Sequence, residues 1–221
     1  MSIASAASER LPADRATAVV IVATAIAMMV LLAVHPGGGA HSFSDVLKDE
    51  AAHRTMDAIV HGGFIAVLSI QFICYAIFSA RLGLQRPAAL AGLVFFAFGA
   101  AFLCGSMVID GLATPAVAAR YASAPDKIEY ARSLFVLMGT LIGFLMPLGL
   151  AFQSAAMAAW GWALLAGGAA RAAGTFGVAM GGLALVALGA ASTNPIVPMA
   201  ALAATAVWAL VVGVTLMRGE V

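Results

Sequence analysis

All four histidines of the sequence lie between positions 35 and 61, from the end of the first long apolar segment to the start of the second. They are His35, His41, His53 and His61. Imidazole nitrogens bind zinc, copper, iron and nickel, and an adjacent carboxylate either binds the same ion or orients an imidazole through its second ring nitrogen. The clustering therefore indicates metal or haem chemistry as the first functional hypothesis.

His53, Asp57 and His61 follow one another at intervals of four residues. Because a helix has about 3.6 residues per turn, this spacing stacks the three side chains on one helical face. The sequence thus predicts two imidazoles and a carboxylate that point the same way. His41 is a weaker candidate ligand, since it lies in a glycine-rich segment that is typical of a loop.

Two further groups join this set if the helices that carry them end at the same membrane surface. His35 closes the first apolar segment and Asp110 closes the third, so we expect both near His61. Met56 and Met107 could add a thioether for copper or haem iron. The candidate ligands of a copper, zinc or iron ion, or of a haem, are therefore His35, His53, Asp57, His61 and Asp110, with His41, Met56 and Met107 as weaker candidates.

The same residues are open to a purely structural interpretation. Histidines and carboxylates at a water interface are often solvated, and Asp57 is placed to pair with Arg54 or His61. The chain holds neither an HExxH motif nor a Cys-x-x-Cys pair, and no serine or cysteine stands in an evident relation to a histidine. We therefore do not expect a stand-alone enzyme. Two alternatives to a metal or haem protein stay open: an accessory subunit that docks onto a larger complex, and a small-solute transporter.

Composition determines the environment of these residues. Of 221 residues, 63% are hydrophobic and 10% are charged, whereas soluble domains carry about 25% charged residues. Uncharged stretches of about 20 residues recur, each long enough to cross a bilayer core of about 30 Å. We therefore predict an all-α, polytopic bundle of six transmembrane helices in a lipid bilayer. The formal net charge of +1 gives no basic surface for nucleic acid.

Proline, glycine and capping residues mark the ends of the predicted spans. Pro36 ends the first span, and we expect Ser44 to cap a helix that begins near Asp45, projects from the membrane and enters it near Ala58. The predicted spans cover residues 16–35, 58–80, 87–109, 133–153 and 172–192, with a sixth that ends at residue 217.

The uncharged stretch over residues 133–170 allows two topologies, because it is longer than one span needs. We favour a single fourth span that emerges near Gln153, with Trp160 and Trp162 at the membrane interface, where indole rings prefer to lie. The alternative is a short seventh span over residues 155–170.

Six spans place both termini on one side of the membrane. On that side Arg81, Arg86 and Arg171 lie in short connections close to the bilayer, where the positive-inside rule applies best. We therefore expect a bacterial inner-membrane protein with cytoplasmic tails at residues 1–15 and 218–221 and a single transmembrane domain over residues 16–217. Its loops at 36–57 and 110–132 would face outward and carry most of the candidate ligands.

Two interior features concern helix packing. Gln71 is a strongly polar side chain deep in the second span, and we expect it to hydrogen-bond across the bundle. The patterns Gly139-x-x-x-Gly143 and Gly177-x-x-x-Gly181 allow close helix approach in lipid. We expect them to be packing sites inside the bundle, and contact with a membrane-protein partner or a second copy of the chain stays open.

Overall fold

The computed structural model describes residues 14–35, 42–168, 170–191, 194 and 196–221. His41 lies outside the described residues. The described part is helical throughout, with short turns between helices. Its seven α-helices are α1 (Arg15–Ala33), α2 (Phe43–Leu82), α3 (Pro87–Val108), α4 (Thr114–Tyr121), α5 (Ile128–Gly167), α6 (Arg171–Ala191) and α7 (Ile196–Met217). A π-helical turn over Ile109–Ala113 joins α3 to α4, and a 3₁₀ turn over Pro125–Lys127 precedes α5.

Among the described residues, six helical stretches are long and apolar enough to cross a membrane: α1, α2, α3 with its continuation into α4, α5, α6 and α7. The all-α fold and the six spans are therefore confirmed. Because α5 continues without a break from Ile128 to Gly167, residues 155–170 do not form a separate seventh span. The long uncharged stretch is one helix of 40 residues.

The six spans form a closed ring. Each spanning helix packs against its neighbour in the order α1, α2, α3, α5, α6 and α7, and α7 returns to α1. At the start of α1, the backbone N–H of Asp14 donates to the carbonyl of Leu216, which joins the first span to the last.

The Asp14 carboxylate caps α1 by accepting a hydrogen bond from the N–H of Thr17. This bond holds the pKa of Asp14 below its ordinary value.

The part of α5 that packs in the bundle lies further along the chain than the predicted fourth span. Gln153 is buried, and Trp160 is only 1% exposed. The Trp160 Nε1–H donates to the Ser79 hydroxyl at 2.8 Å, and its ring stacks on Tyr75. Trp160 therefore packs inside the bundle and not in a belt of lipid-facing indoles, which corrects the expectation for this residue, while the emergence of α5 from the membrane near Gln153 stays a prediction. A buried hydroxyl satisfies the indole N–H, so this tryptophan needs no water. The interfacial position of Trp162, which is exposed, stays a prediction.

Glycines allow α6 to lie close against α5. A Cβ added at Gly177 or Gly181 would lie 2.9 or 2.5 Å from backbone oxygens of α5, so this pair is a packing site inside the bundle, as expected. The same prediction is wrong for Gly139 and Gly143, because a Cβ at either position would meet no described atom within 4 Å. These two glycines lie on an exposed face of α5.

A small cap covers one end of the ring. Leu47 from the start of α2, Ala118 from α4 and Ala131 from the start of α5 form a buried apolar cluster, and the rings of Phe43 and Phe135 meet edge to face at 5.4 Å. The cap holds the first turns of α2 against the segment that follows α3. It therefore fixes how these two parts of the chain meet at this end.

The N-cap of α2 is Ser42 and not Ser44. Ser42 has an extended backbone, and its hydroxyl accepts a hydrogen bond from the N–H of Asp45. Its hydroxyl also donates to the Asp45 carboxylate at 2.6 Å. The helix begins two residues earlier than predicted, because Asp45 binds back to Ser42 in a reciprocal cap.

Candidate metal centre

Three side chains from three different spans converge beneath the cap. The Nε2 atom of His61 lies 3.3 Å from Nε2 of His35 and 3.2 Å from Oδ2 of Asp110. All three donor atoms lie within 4.8 Å of one another. His61 belongs to α2, His35 follows the end of α1, and Asp110 lies in the turn after α3. The site therefore exists only when the ends of α1, α2 and α3 are assembled.

His61 is the central and most firmly held member of this group. It is 2% exposed, and its Nδ1 atom lies 2.9 Å from the backbone carbonyl oxygen of Asp57. Because a carbonyl only accepts hydrogen bonds, Nδ1 carries the hydrogen. In a neutral imidazole, the lone pair is then on Nε2 and faces His35 and Asp110. Histidines that bind metal ions are oriented in this way, by donating their other ring N–H to a carbonyl or carboxylate.

Asp110 owes its position to the π-helical turn. Pro115 has no N–H, so the helix cannot continue its regular bonding to the carbonyl four residues earlier. Instead, the N–H and the hydroxyl of Thr114 both donate to the carbonyl of Ile109, five residues earlier. The wider turn changes the direction of the Asp110 side chain relative to α3. Such π-turns occur frequently at functional sites.

Gly111 allows the π-turn to lie directly against the imidazole. The residue is buried, and a Cβ added there would overlap the ring of His61. Sequence analysis missed Gly111 as a site residue. The signal was a glycine directly after Asp110, followed by Thr114 and Pro115, which together favour an irregular turn and not a regular helix.

His35 forms the open side of the group. Its ring meets that of His61 edge to face, with centroids 4.9 Å apart. His35 is exposed, and the Asp110 side chain is 35% exposed. Solvent therefore reaches the donor atoms from the side of His35 and Asp110. The buried His61 forms the inner side of the site.

The contact between His61 and Asp110 requires a hydrogen or a metal ion between the two atoms. With hydrogen on Nδ1, a neutral His61 presents a lone pair to a carboxylate oxygen 3.2 Å away, and two acceptors at this distance repel each other. The contact becomes favourable when a proton or a metal ion binds Nε2. A proton would make an ordinary ion pair, whereas a metal ion would also use the nitrogen of His35.

The distances suit a single small metal ion. Two ligands at about 2.05 Å from an ion, at a tetrahedral angle, lie about 3.3 Å apart. The two separations from His61 Nε2, 3.3 and 3.2 Å, match this value, and the donor atoms of His35 and Asp110 lie within 4.8 Å of each other. Axial haem ligands lie on opposite sides of the iron, which would place the two nitrogens about 4 Å apart. The arrangement therefore fits a single ion better than a haem.

No family model, no curated protein and no solved structure matches this chain. Helical bundles with unrelated functions share one architecture, so the fold carries no function by itself. The inference of function therefore depends on the chemistry of the site.

Two other predicted ligands of α2 lie outside the group of donor atoms. His53 lies two helical turns before His61, and its Nδ1 is 3.0 Å from the carbonyl oxygen of Asp49 and 3.3 Å from that residue's carboxylate. It is exposed. Asp57 is buried, but its contact with His61 is made by the backbone carbonyl. His53, Asp57 and His61 do share one face of α2, as their spacing predicts. The three clustered donor atoms, however, come from His35, His61 and Asp110, which belong to different spans.

The weaker candidates and Gln71 are also placed apart from the three donor atoms. Met56 is exposed on α2, and Met107 packs against the apolar core around Val60 and Phe64. Gln71 is buried ten residues beyond His61, where it lines a narrow void in the bundle centre. No described contact therefore links these side chains to the candidate centre.

Additional carboxylates give the surroundings of the site a negative potential. Glu50 of α2 lies close enough to Asp57 and Asp110 for electrostatic repulsion among the three carboxylates. A cation bound near Asp110 would relieve this repulsion. The field around the centre therefore favours a positively charged ligand.

Proposed function

We propose that this protein is an integral membrane protein that binds one divalent transition-metal ion through His35, His61 and Asp110. The observation that supports this most directly is the pair of contacts at His61 Nε2, which faces a second imidazole nitrogen and a carboxylate oxygen. A nitrogen that is held as an acceptor and faces two other donor atoms has the environment of a metal ligand. The proposed role is redox chemistry or metal handling.

The donor set points to zinc or iron(II) as the preferred ions. Two imidazoles with one carboxylate occur in catalytic zinc sites and in the three-residue sites of non-haem iron enzymes. Both kinds of site leave at least one coordination position open for water or substrate. The exposure of His35 and Asp110 supports such an open position here.

Metal analysis tests this proposal. Protein purified in mild detergent through a tag without histidines should contain about one zinc or iron ion per chain by elemental analysis. After removal of the ion with a chelator, titration with Zn²⁺ or Fe²⁺ should restore the same stoichiometry. A protein that is metal-free after gentle purification and binds neither ion would contradict the proposal. The contact of His61 with Asp110 would then be an ion pair.

A second candidate function is that of an accessory subunit. Its support is an apolar surface on the first half of α5, where Val136, Leu137 and Phe144 are exposed. Met138 of this segment contacts Thr114 of the cap, so the surface reaches the level of the candidate site. A stable partner that copurifies in equal amount with metal-free protein would favour this function over metal binding.

We further propose that the candidate centre faces the outside of a bacterial inner membrane and that both termini are cytoplasmic. Its support is the distribution of arginines: Arg81, Arg86, Arg171 and Arg218 lie around one cavity at the opposite end of the bundle.

Cysteine labelling tests this orientation. In intact cells, a membrane-impermeant maleimide should label Ser123→Cys in the cap but not Leu84→Cys between α2 and α3. After permeabilisation, it should label both variants. Both native positions are exposed. The two native cysteines lie within helices, so the unmodified chain is the control for background labelling. Labelling of Leu84→Cys alone in intact cells would reverse the orientation.

A further inference from the structure

A cavity of about 900 Å³ lies at the end of the bundle opposite the candidate metal centre. Its walls come from the ends of α2, α5 and α7, from Arg86 directly before α3 and from the beginning of α6. Arg81 in its wall lies 20 residues beyond His61 on α2, which corresponds to about 30 Å along the helix. The cavity and the candidate centre are therefore about one hydrocarbon thickness apart.

The rim of this cavity is strongly basic. Four arginines line it, together with one acidic side chain, Glu220. Glu220 lies 3.7 Å from Arg218, whose side chain remains mostly exposed, and Arg81 donates to the carbonyl oxygen of Val221 at 2.7 Å. Arg86 and Arg171 are exposed at the rim. The cavity therefore carries an excess positive charge that attracts an anion.

The wall below this rim is apolar. Val207, Leu210 and Val214 follow one another at helical spacing on α7 and keep about two-fifths of their surface exposed. Phe176 of α6 contributes to the same cavity. The stripe on α7 extends for about 10 Å along the helix axis. A positive rim above an apolar wall is complementary to a molecule with an anionic head and a hydrocarbon tail.

We propose that this cavity binds an anionic phospholipid of the surrounding bilayer. The lipid phosphate lies among Arg86, Arg171 and Arg218, and one acyl chain lies along the exposed stripe of α7. Basic pockets between transmembrane helices on the cytoplasmic side bind phosphate-bearing lipid headgroups in this manner. Arginine suits this role because its planar guanidinium presents paired donors to phosphate oxygens. This proposal is independent of the metal centre.

Lipid titration of the purified full chain tests the proposal. The probes are phosphatidylglycerol and phosphatidylcholine with identical acyl chains, and inorganic phosphate without a chain. Binding is measured by native mass spectrometry and by the shift in unfolding temperature in detergent. Phosphatidylglycerol should bind at least about tenfold more tightly than phosphatidylcholine, because two or more arginines contribute. Inorganic phosphate at the same concentration should leave the unfolding temperature unchanged.

Variants separate the contributions of charge and chain. Arg86→Gln and Arg171→Gln should each weaken phosphatidylglycerol binding about fivefold, and Leu210→Trp should weaken it by filling the apolar wall. Arg120→Gln is the matched control, since this exposed arginine lies on α4 in the cap at the opposite end. It should leave lipid binding unchanged. Metal content should stay the same in all four variants.

Three results would overturn the proposal. They are equal binding of the two lipids by the unmodified protein, tight binding of inorganic phosphate alone, or unchanged phosphatidylglycerol affinity in both rim variants. The second result would make the cavity a site for a free anion. The first two comparisons need only the unmodified chain, so a variant that fails to fold does not prevent a decision.

Discussion

Replacing His61 with alanine should lower the affinity of the purified protein for zinc or iron(II) by more than about 100-fold. Loss of a residue that merely orients a ligand costs about 10- to 100-fold in metal affinity, and His61 is proposed to be a ligand itself. Its Nε2 is also the atom that lies close to both His35 and Asp110. Without this nitrogen, one exposed imidazole and one partly exposed carboxylate remain, and these hold a divalent ion weakly.

His53→Ala is the matched control for this substitution. His53 is a histidine on the same helix, but it faces solvent and contacts Asp49. Its replacement should leave metal content and affinity unchanged. Isothermal titration of both variants, each first shown to be monodisperse by size-exclusion chromatography, measures the difference. Full metal occupancy in His61→Ala would exclude the proposed centre, and equal losses in both variants would show that the whole histidine cluster acts through electrostatics.

Replacing Gly111 with alanine should reduce both stability and metal affinity, although this residue offers no ligand atom. The added methyl group would overlap the His61 ring, which is buried and held by the carbonyl of Asp57. Either the ring or the π-turn must move. Overpacking of this kind costs about 1–3 kcal/mol of folding free energy. Because Asp110 is adjacent to Gly111, the same movement separates two donor atoms, and we expect a loss of metal affinity of about 10- to 100-fold.

Gly62→Ala provides a sharp comparison, because Gly62 is the neighbour of His61 in α2 and its added Cβ would meet no described atom within 4 Å. Alanine is favoured over glycine inside a helix by about 1 kcal/mol in water. This variant should therefore be as stable as the original protein or more stable, with unchanged metal affinity. Thermal unfolding and metal titration distinguish the two variants. If Gly111→Ala behaves like Gly62→Ala, the close contact between the π-turn and His61 does not matter for the site.

His61 and Asp110 are the site residues that the sequence predicts most directly. Each lies where a long apolar stretch meets polar sequence, and a polar residue at such a position can be placed at the membrane surface by counting residues. His35 could be placed by the same reasoning. These three residues were therefore accessible as candidates without any knowledge of how the helices pack.

Helical spacing alone does not show which groups lie beside His53. The four-residue interval correctly places it in register with Asp57 and His61, but the register describes only one helix. In the structure, its imidazole contacts Asp49. The periodicity of one helix contains no information about which groups neighbouring helices bring to its surface. For this reason the membership of the site could not be read from spacing.

The position of the packed section of α5 was unpredictable for a related reason. Hydropathy reports that residues 133–170 are apolar, but every part of this stretch is apolar enough for lipid. The section that packs is chosen by contacts with other helices, such as the hydrogen bond from Trp160 to Ser79. Those partners are separated by 81 positions in the chain. No local preference of tryptophan for the interface could reveal this bond.

The sequence by itself determined that most of this protein lies in lipid, that it has six spanning helices, and which residue types lie at the end where a metal ion is proposed to bind. These properties follow from composition and from the length of apolar segments, which are local quantities. Only the tertiary structure decided that His35, His61 and Asp110 meet and that Gly111 makes room for them. The reason is physical: a ligand set depends on distances between separate helices, and those distances are set by side-chain packing and by one irregular turn.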